Sequence, residues 1–307
     1  MNVKQAWGLL TQTLSSWIDD YAPSMGAALA YYTMFSIAPL LLIVIAVAGF
    51  IFGADAARGE ILTQLQGLLG EDGAHAVEGL LKSVSEPAKS TGAAVIGIVV
   101  LLIGATSVFG ELQDALDRIW RAPARDRHDG LWRLVKSRLL SFGMILGIAF
   151  LLVVSLVMSA ALSALGKWWG PLFGSWETLL QITNFVISFG LITVMFAMIY
   201  KVMPRVHIQW PDVWVGAGVT ALLFTIGKLL IGLYIGKSGI ASGFGAAASL
   251  VVVLVWVYYS AQIFLVGAEF TWVYAHELGS RRGQPRPRAG EALPSPEDKG
   301  PKALRGH

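Results

Sequence analysis

An all-α, polytopic membrane helix bundle with six transmembrane helices is the fold class this sequence predicts, together with an N-terminal interfacial helix and a short helical outer loop. Three observations carry that expectation. Hydrophobic residues fill 55% of the 307 positions and charged residues only 14%, whereas a soluble domain carries about a quarter charged residues. The apolar residues fall in long unbroken runs, and roughly 20 helical residues suffice to cross a bilayer core. No segment alternates as a barrel strand does, so helices must satisfy the backbone inside lipid.

The elements follow in chain order. Residues 3–18 lack the layout of a cleavable signal peptide and instead place Trp7, Leu10, Leu14 and Trp17 at helical spacing, with Lys4, Gln5, Gln12 and Ser16 elsewhere. That pattern predicts an amphipathic helix, residues 1–22, lying on the membrane face. Asp19, Asp20 and the turn residue Pro23 separate it from a first span over about 25–52. The first outer loop carries two amphipathic stretches, 57–69 and 74–84, broken at Gly70-Glu71-Asp72-Gly73. Further spans are expected at about 93–110, 139–165, 179–203, 213–236 and 246–274, completing a transmembrane domain over 23–278. Residues 279–307 hold five prolines and no apolar run. They are expected to form a disordered basic tail whose Arg281, Arg282, Arg286 and Arg288 touch anionic headgroups.

Charge then orients the bundle. With six spans, seventeen Lys and Arg residues fall on the side holding both termini and five on the other, while Lys228 lies within a span. Positive residues favour the cytoplasmic side, so both termini are expected there. The chain has no cysteine, which excludes disulfides, thiolate metal sites and cysteine nucleophiles.

Within the spans, small residues at four-residue spacing (Gly143 and Gly147, Gly232 and Gly236, and the row Ala217, Ala221, Thr225) suit close helix packing. Pro39 interrupts the first span and frees the Phe35 carbonyl. Tyr31, Tyr32, Thr33 and Ser36 cluster beside it, either satisfying that backbone or lining a wet cavity or hinge. Lys228 and Glu269 are the ionisable residues well inside spans, and a charge there costs at least about 2.5 kcal/mol. Depth argues against their pairing. Lys228 is either a substrate or proton site, or it meets Asn184 or the Trp256 ring at its own depth, or it snorkels outward. Glu269 shares a helix face with Gln262 and is either part of a polar stripe or an interfacial group, since Trp272 and Tyr274 mark the headgroup level. Glu111, Asp114 and Asp117 resemble a metal cluster in spacing. The helical pairs Asp114 with Arg118 and Asp117 with Arg121 account for those charges without a metal.

The glycines of residues 236–245 match no nucleotide fingerprint and read as a flexible hairpin. The histidines are scattered, and serines such as Ser155 and Ser159 lack a nearby base. No catalytic residue, metal site or cofactor is expected.

Three separated stretches, in order, carry a family resemblance. They are Ala27-Ala-Leu-Ala-Tyr-Tyr-Thr-Met-Phe-Ser-Ile-Ala-Pro-Leu-Leu41, the segment from Leu112 to Trp120, and residues 244–274 with Trp256-Val-Tyr-Tyr-Ser-Ala-Gln-Ile263 and Gly267-Ala-Glu-Phe270. Over residues 5–280 the chain resembles the YihY/BrkB family of "virulence factor BrkB" membrane proteins, once labelled ribonuclease BN. It departs from the pattern at Asp117, where asparagine is expected, and at Ala248, where glycine is usual. The resemblance implies a six-span bacterial inner-membrane protein and says little about activity. A ribonuclease needs clustered carboxylates or an acid/base pair on a basic face, which these loops lack. Neither enzymatic activity nor nucleic-acid binding is therefore expected. The expected function is transport of a small or lipid-like solute by a permease-like protein in contact with membrane lipids, with homo-oligomer assembly open to it. The alternative is a non-catalytic scaffold or envelope-assembly and virulence factor.

Overall fold

The computed structural model describes residues 3–84, 91–123, 176–237 and 248–284, and isolated positions between 139 and 154. Seven helices cover most of these residues: α1 (Val3–Asp19), α2 (Ala22–Phe52), α3 (Ala54–Val84), α4 (Thr91–Ile119), α5 (Trp176–Val202), α6 (Trp210–Lys237) and α7 (Ala248–Glu277). No strand occurs among the described residues. Four segments are long and apolar enough to cross a membrane: Ala22–Phe50 in α2, Ile182–Val202 in α5, Trp210–Tyr234 in α6 and Leu250–Glu277 in α7. The second expected span lies within α4, and most of the third falls outside the described residues.

Local chemistry sets the boundaries. Tyr21 adopts a left-handed φ of 57° between α1 and α2, and Pro23 follows in the first turn of α2, where its missing N–H costs nothing. The chain thereby makes a sharp elbow between the two helices. Pro39 is buried and α2 runs through it. Gly53 closes α2 at φ 89°, donating its N–H to the Gly49 carbonyl. The glycine break expected in the outer loop is a kink at Gly70, φ 76°, inside the otherwise continuous α3.

The described helices neighbour one another in the order α4, α2, α7, α6, α5, with α3 packed across α2 and α7 and α1 lying against α7. One apolar core cluster joins α1, α2, α4, α5, α6 and α7 and includes Leu9, Met25, Leu116, Trp120, Tyr200 and Leu265. A second, around Leu41, Leu69, Val77, Leu81 and Val253, packs α3 onto α2 and α7. On α1, Val3, Trp7, Leu10, Leu14 and Ile18 form an exposed apolar stripe, while Leu9 and Thr13 are buried beneath it. Trp17, expected on that stripe, instead packs partly buried against the core.

Close packing uses some of the small residues expected and adds others. Gly147 does sit against Met198, but Gly232 has no atom within 4 Å of the place a Cβ would take. The tight seam is between α6 and α7. A Cβ at Gly216 would collide with Thr271, and one at Gly267 with Thr220 and the Tyr200 hydroxyl. Each threonine hydroxyl bonds the glycine carbonyl one turn earlier in its own helix, Thr220 to Gly216 at 2.8 Å and Thr271 to Gly267 at 2.7 Å. The two helices thus present the same Gly-x-x-x-Thr unit to each other in antiparallel register. Ala217 and Ala221 are fully buried in the same region, as expected of packing residues.

Ser36 bridges α2 to α4: its hydroxyl lies 2.8 Å from the Ser107 hydroxyl and also bonds the Tyr32 carbonyl. Gly104 admits the Pro39 ring beside it, at 3.2 Å from the position of a Cβ. A double-mutant cycle of Ser36→Ala and Ser107→Ala, read by unfolding in detergent, is expected to give a coupling of about 0.6 kcal/mol. A coupling of zero would remove this pair from the forces joining α2 and α4.

Candidate functional site

The expected intramembrane residues separate into exposed and buried sets. Tyr31 and Tyr32 are exposed, and Tyr31 meets Tyr32 and Phe35 edge to face at 5.7 and 5.0 Å between ring centroids. Asn184 lies exposed near the start of α5. Lys228 is exposed on α6 among the outward Leu222, Ile226 and Leu229. Among the described residues neither Asn184 nor Trp256 pairs with it; the Trp256 ring meets Phe224 instead. The α6–α7 register sets Lys228 level with about Tyr259 and Glu269 level with about Gly218. Ten residues of helix, roughly 15 Å, separate them, so they do not pair.

Glu269 occupies the opposite kind of place. It is fully buried, and no N–H or O–H donor among the described residues reaches either carboxylate oxygen. Its neighbours are a second carboxylate and a guanidinium, Asp20 and Arg121. Asp20, also fully buried, directly follows α1, and Arg121 follows the last turn of α4. Arg121 Nη1 donates to both Asp20 oxygens at 2.6 Å and to the Arg118 carbonyl at 2.8 Å. Its guanidinium lies 5.3 Å from the centroid of the Trp272 ring, one turn along α7 from Glu269. Gln262, two turns before Glu269, points to the same elbow. Its Nε2 lies 3.5 Å from the Pro23 carbonyl and fills the space at Gly26. One end of the bundle therefore gathers α1, α2, α4 and α7 around three buried ionisable groups.

The backbone is bent to make this possible. Arg121 has φ 53°, and the bonds Arg121 N–H to Arg118 O and Ala122 N–H to Asp117 O close α4 in a left-handed cap. Glycine usually fills that position, and a side chain there costs about 1–2 kcal/mol. The arginine is retained where its side chain can reach Asp20, away from its own helix. This replaces the expected pairing of Arg121 with Asp117. Asp117 instead binds Arg205, from the link between α5 and α6, at 2.9 Å to Nε and 2.8 Å to the backbone N–H; Asp114 meets the same guanidinium at 3.4 Å. Arg118 rests over the Tyr21 ring at 5.4 Å. Burial and the Asp114 charge raise Glu111 above the ordinary carboxyl range. Among the described residues no group of three acidic or histidine side chains could hold a metal.

The same end of the bundle is closed by the segment after α7. Asp212, buried in the first turn of α6, accepts the Ser280 hydroxyl at 2.5 Å and the Ser280 N–H at 3.3 Å. Arg281 donates to the His207 carbonyl at 3.1 Å and lies 5.1 Å from the Trp120 ring centroid. Burial pushes its guanidinium below its ordinary value, which Asp212 partly offsets. Residues 279–284 are thus fixed to the bundle, and Arg281 is engaged by protein where a free tail was expected. Residues 285–307 lie outside the described set.

Asp20, Arg121, Arg205 and Asp212 were not singled out as site residues. Each flanks a span or begins one, where a charge reads as a solvated end. The one available signal was Arg121 directly after Trp120, a non-glycine residue where a helix stops.

These helices and their membrane-length apolar segments define an all-helical membrane protein. The family model described as Virulence factor BrkB matches residues 13–291, and the chain belongs to that family. It is 28% identical to a "UPF0761 membrane protein" of Tolumonas auensis over 82% of this chain and 80% of the relative. Proteins of the same description from Pseudomonas paraeruginosa and Stenotrophomonas maltophilia are also 28% identical, over 88% and 83% of this chain. The chain spans only 64% and 58% of those two relatives. No solved structure matches it.

Proposed function

We propose that the protein is a permease-like component of the bacterial inner membrane, with both termini cytoplasmic, that moves a small or lipid-like solute without catalysing a reaction. The supporting observation is Glu269, a carboxyl buried inside the bundle with no donor of its own among the described residues. Such a group is costly in a membrane interior and is characteristic of solute or ion paths. Gln262 of α7 lies against the Pro23 carbonyl at the α1–α2 elbow, and Tyr32 lies further along α2. Lipid covers the leucine face of α6 in this reading, with Lys228 snorkelling from it, and a second copy of the chain is the other occupant that face admits.

A scaffold is the second reading, and a specific observation favours it. Several buried polar groups are satisfied locally: Tyr200 Oη lies 3.0 Å from the Thr220 hydroxyl and donates to the Phe264 carbonyl at 2.8 Å. The chain has no cysteine, so single cysteines at positions 32, 228 and 262 can be probed with a membrane-impermeant maleimide in sealed vesicles. The permease reading expects positions 32 and 262 to react, from one side or the other. If neither reacts while a control position at the headgroups does, the bundle is dry and the scaffold reading replaces it.

A further inference from the structure

The three ionisable groups beneath the elbow do not balance. Asp20 and Arg121 neutralise each other through the Nη1 bonds. Glu269 then adds a carboxyl to a volume from which water is excluded, as the burial of all three shows. With every group ionised, the cluster carries one uncompensated negative charge, which desolvation penalises heavily. With Glu269 protonated, it carries none. The geometry favours the neutral form independently of that count. Asp20 and Arg121 are the ionisable neighbours of Glu269, and no donor among the described residues bonds either of its oxygens. Two carboxyls share a hydrogen bond only when one supplies the proton.

The cluster also holds what the deprotonated form would need. Arg121 uses Nη1 for Asp20 and the Arg118 carbonyl, while its buried Nε has no acceptor among the described residues. An unused donor and an unused carboxylate therefore lie in the same pocket. Arg121 itself and Tyr21, the residue after Asp20, are the non-glycine residues with left-handed φ among those described. Such strained positions persist where surrounding contacts hold them and mark places that switch.

We propose that Glu269 is a proton-binding site, and that release of its proton draws Arg121 away from Asp20 and frees the α1–α2 elbow. The step is an acid–base exchange. The O–H bond of the Glu269 carboxyl breaks, the proton passes to water at the end of the bundle, and the electron pair left on oxygen accepts a hydrogen bond from Arg121 Nε. Nothing is oxidised or reduced. The charges facing Glu269 are Asp19 at the end of α1, Asp20 just after it and Arg121 after the end of α4. On its own helix, His276 is occupied by the Trp272 carbonyl at 2.8 Å. Across the α5 and α6 seam, Tyr200 and Thr220 are engaged with each other. This deepens the permease reading by making the proton the coupled ion, and it is tested by a conformational readout that needs no solute.

The test uses the full chain in lipid nanodiscs. Infrared difference spectra between neutral and alkaline pH are expected to show loss of a protonated-carboxyl carbonyl band, absent in Glu269→Gln and shifted in Glu269→Asp. A spin label on a cysteine at exposed position 18 of α1 is expected to gain mobility over the same pH range. In Glu269→Gln it should stay in the restricted state. If wild-type protein shows no such band at neutral pH, the proton site is overturned whatever the variants do. A label that responds equally in wild type and Glu269→Gln overturns the elbow switch. Failure of the maleimide experiment alone would remove the permease and leave the proton site standing.

Discussion

Replacing Arg121 with methionine is expected to cost about 3–5 kcal/mol of stability, because it leaves Asp20 ionised and buried without its partner. The loss should appear as a lower midpoint in thermal or SDS-induced unfolding of the purified protein. The arginine's charge, more than its apolar stem, carries the effect. Its Nη1 bonds to Asp20 join the residue after α1 to the end of α4, and methionine keeps an apolar stem there without the charge. The double variant Asp20→Asn with Arg121→Met removes both charges, and it should recover most of the loss, since replacing a buried pair whole is often neutral. If Arg121→Met unfolds like wild type, the ion pair does not hold the elbow.

The second large effect is expected at the α6–α7 seam. Gly267→Ala places a methyl group against the Thr220 hydroxyl and 2.6 Å from the Tyr200 hydroxyl, inside contact distance for both. Neither neighbour can withdraw cheaply, because Tyr200 is fully buried and tied to Thr220 and to the Phe264 carbonyl. Overpacking of this kind costs typically about 1–3 kcal/mol, and here a buried hydrogen bond is strained with it. Gly232→Ala, on α6 but with open space around the new methyl group, is the control. Alanine is the better helix former, so that variant should be neutral or slightly more stable. Equal effects of the two substitutions would mean that the seam is not under close contact.

Much of the architecture was legible because lipid leaves the chain few options. Apolar runs of the right length must be helices, so α2, α5, α6 and α7 fall where hydropathy places them. The glycine break expected after the first span reappears at Gly70, where a positive φ requires the residue. The site was harder to read, for a geometric reason. Helical spacing assigns Arg121 to Asp117, but spacing assumes that the helix continues. The left-handed cap turns Arg121 out of the helix toward a residue 101 positions earlier, and no periodicity reports a contact made after a helix ends. Glu269 was visible as a buried acid, but its neighbours were not. The seam was missed for a related reason: Gly216 and Gly267 pair with threonines on the opposite helix, and repetition within one span does not reveal that reciprocity.

That reciprocity also limits how the molecule can deform. Backbones meshed at Gly216 and Gly267 with threonines in the gaps have no clearance for sliding or rotation, so α6 and α7 travel together as a single stiff beam. Any rearrangement must be taken up at looser joints. The elbow at Tyr21, between α1 and α2, is such a joint.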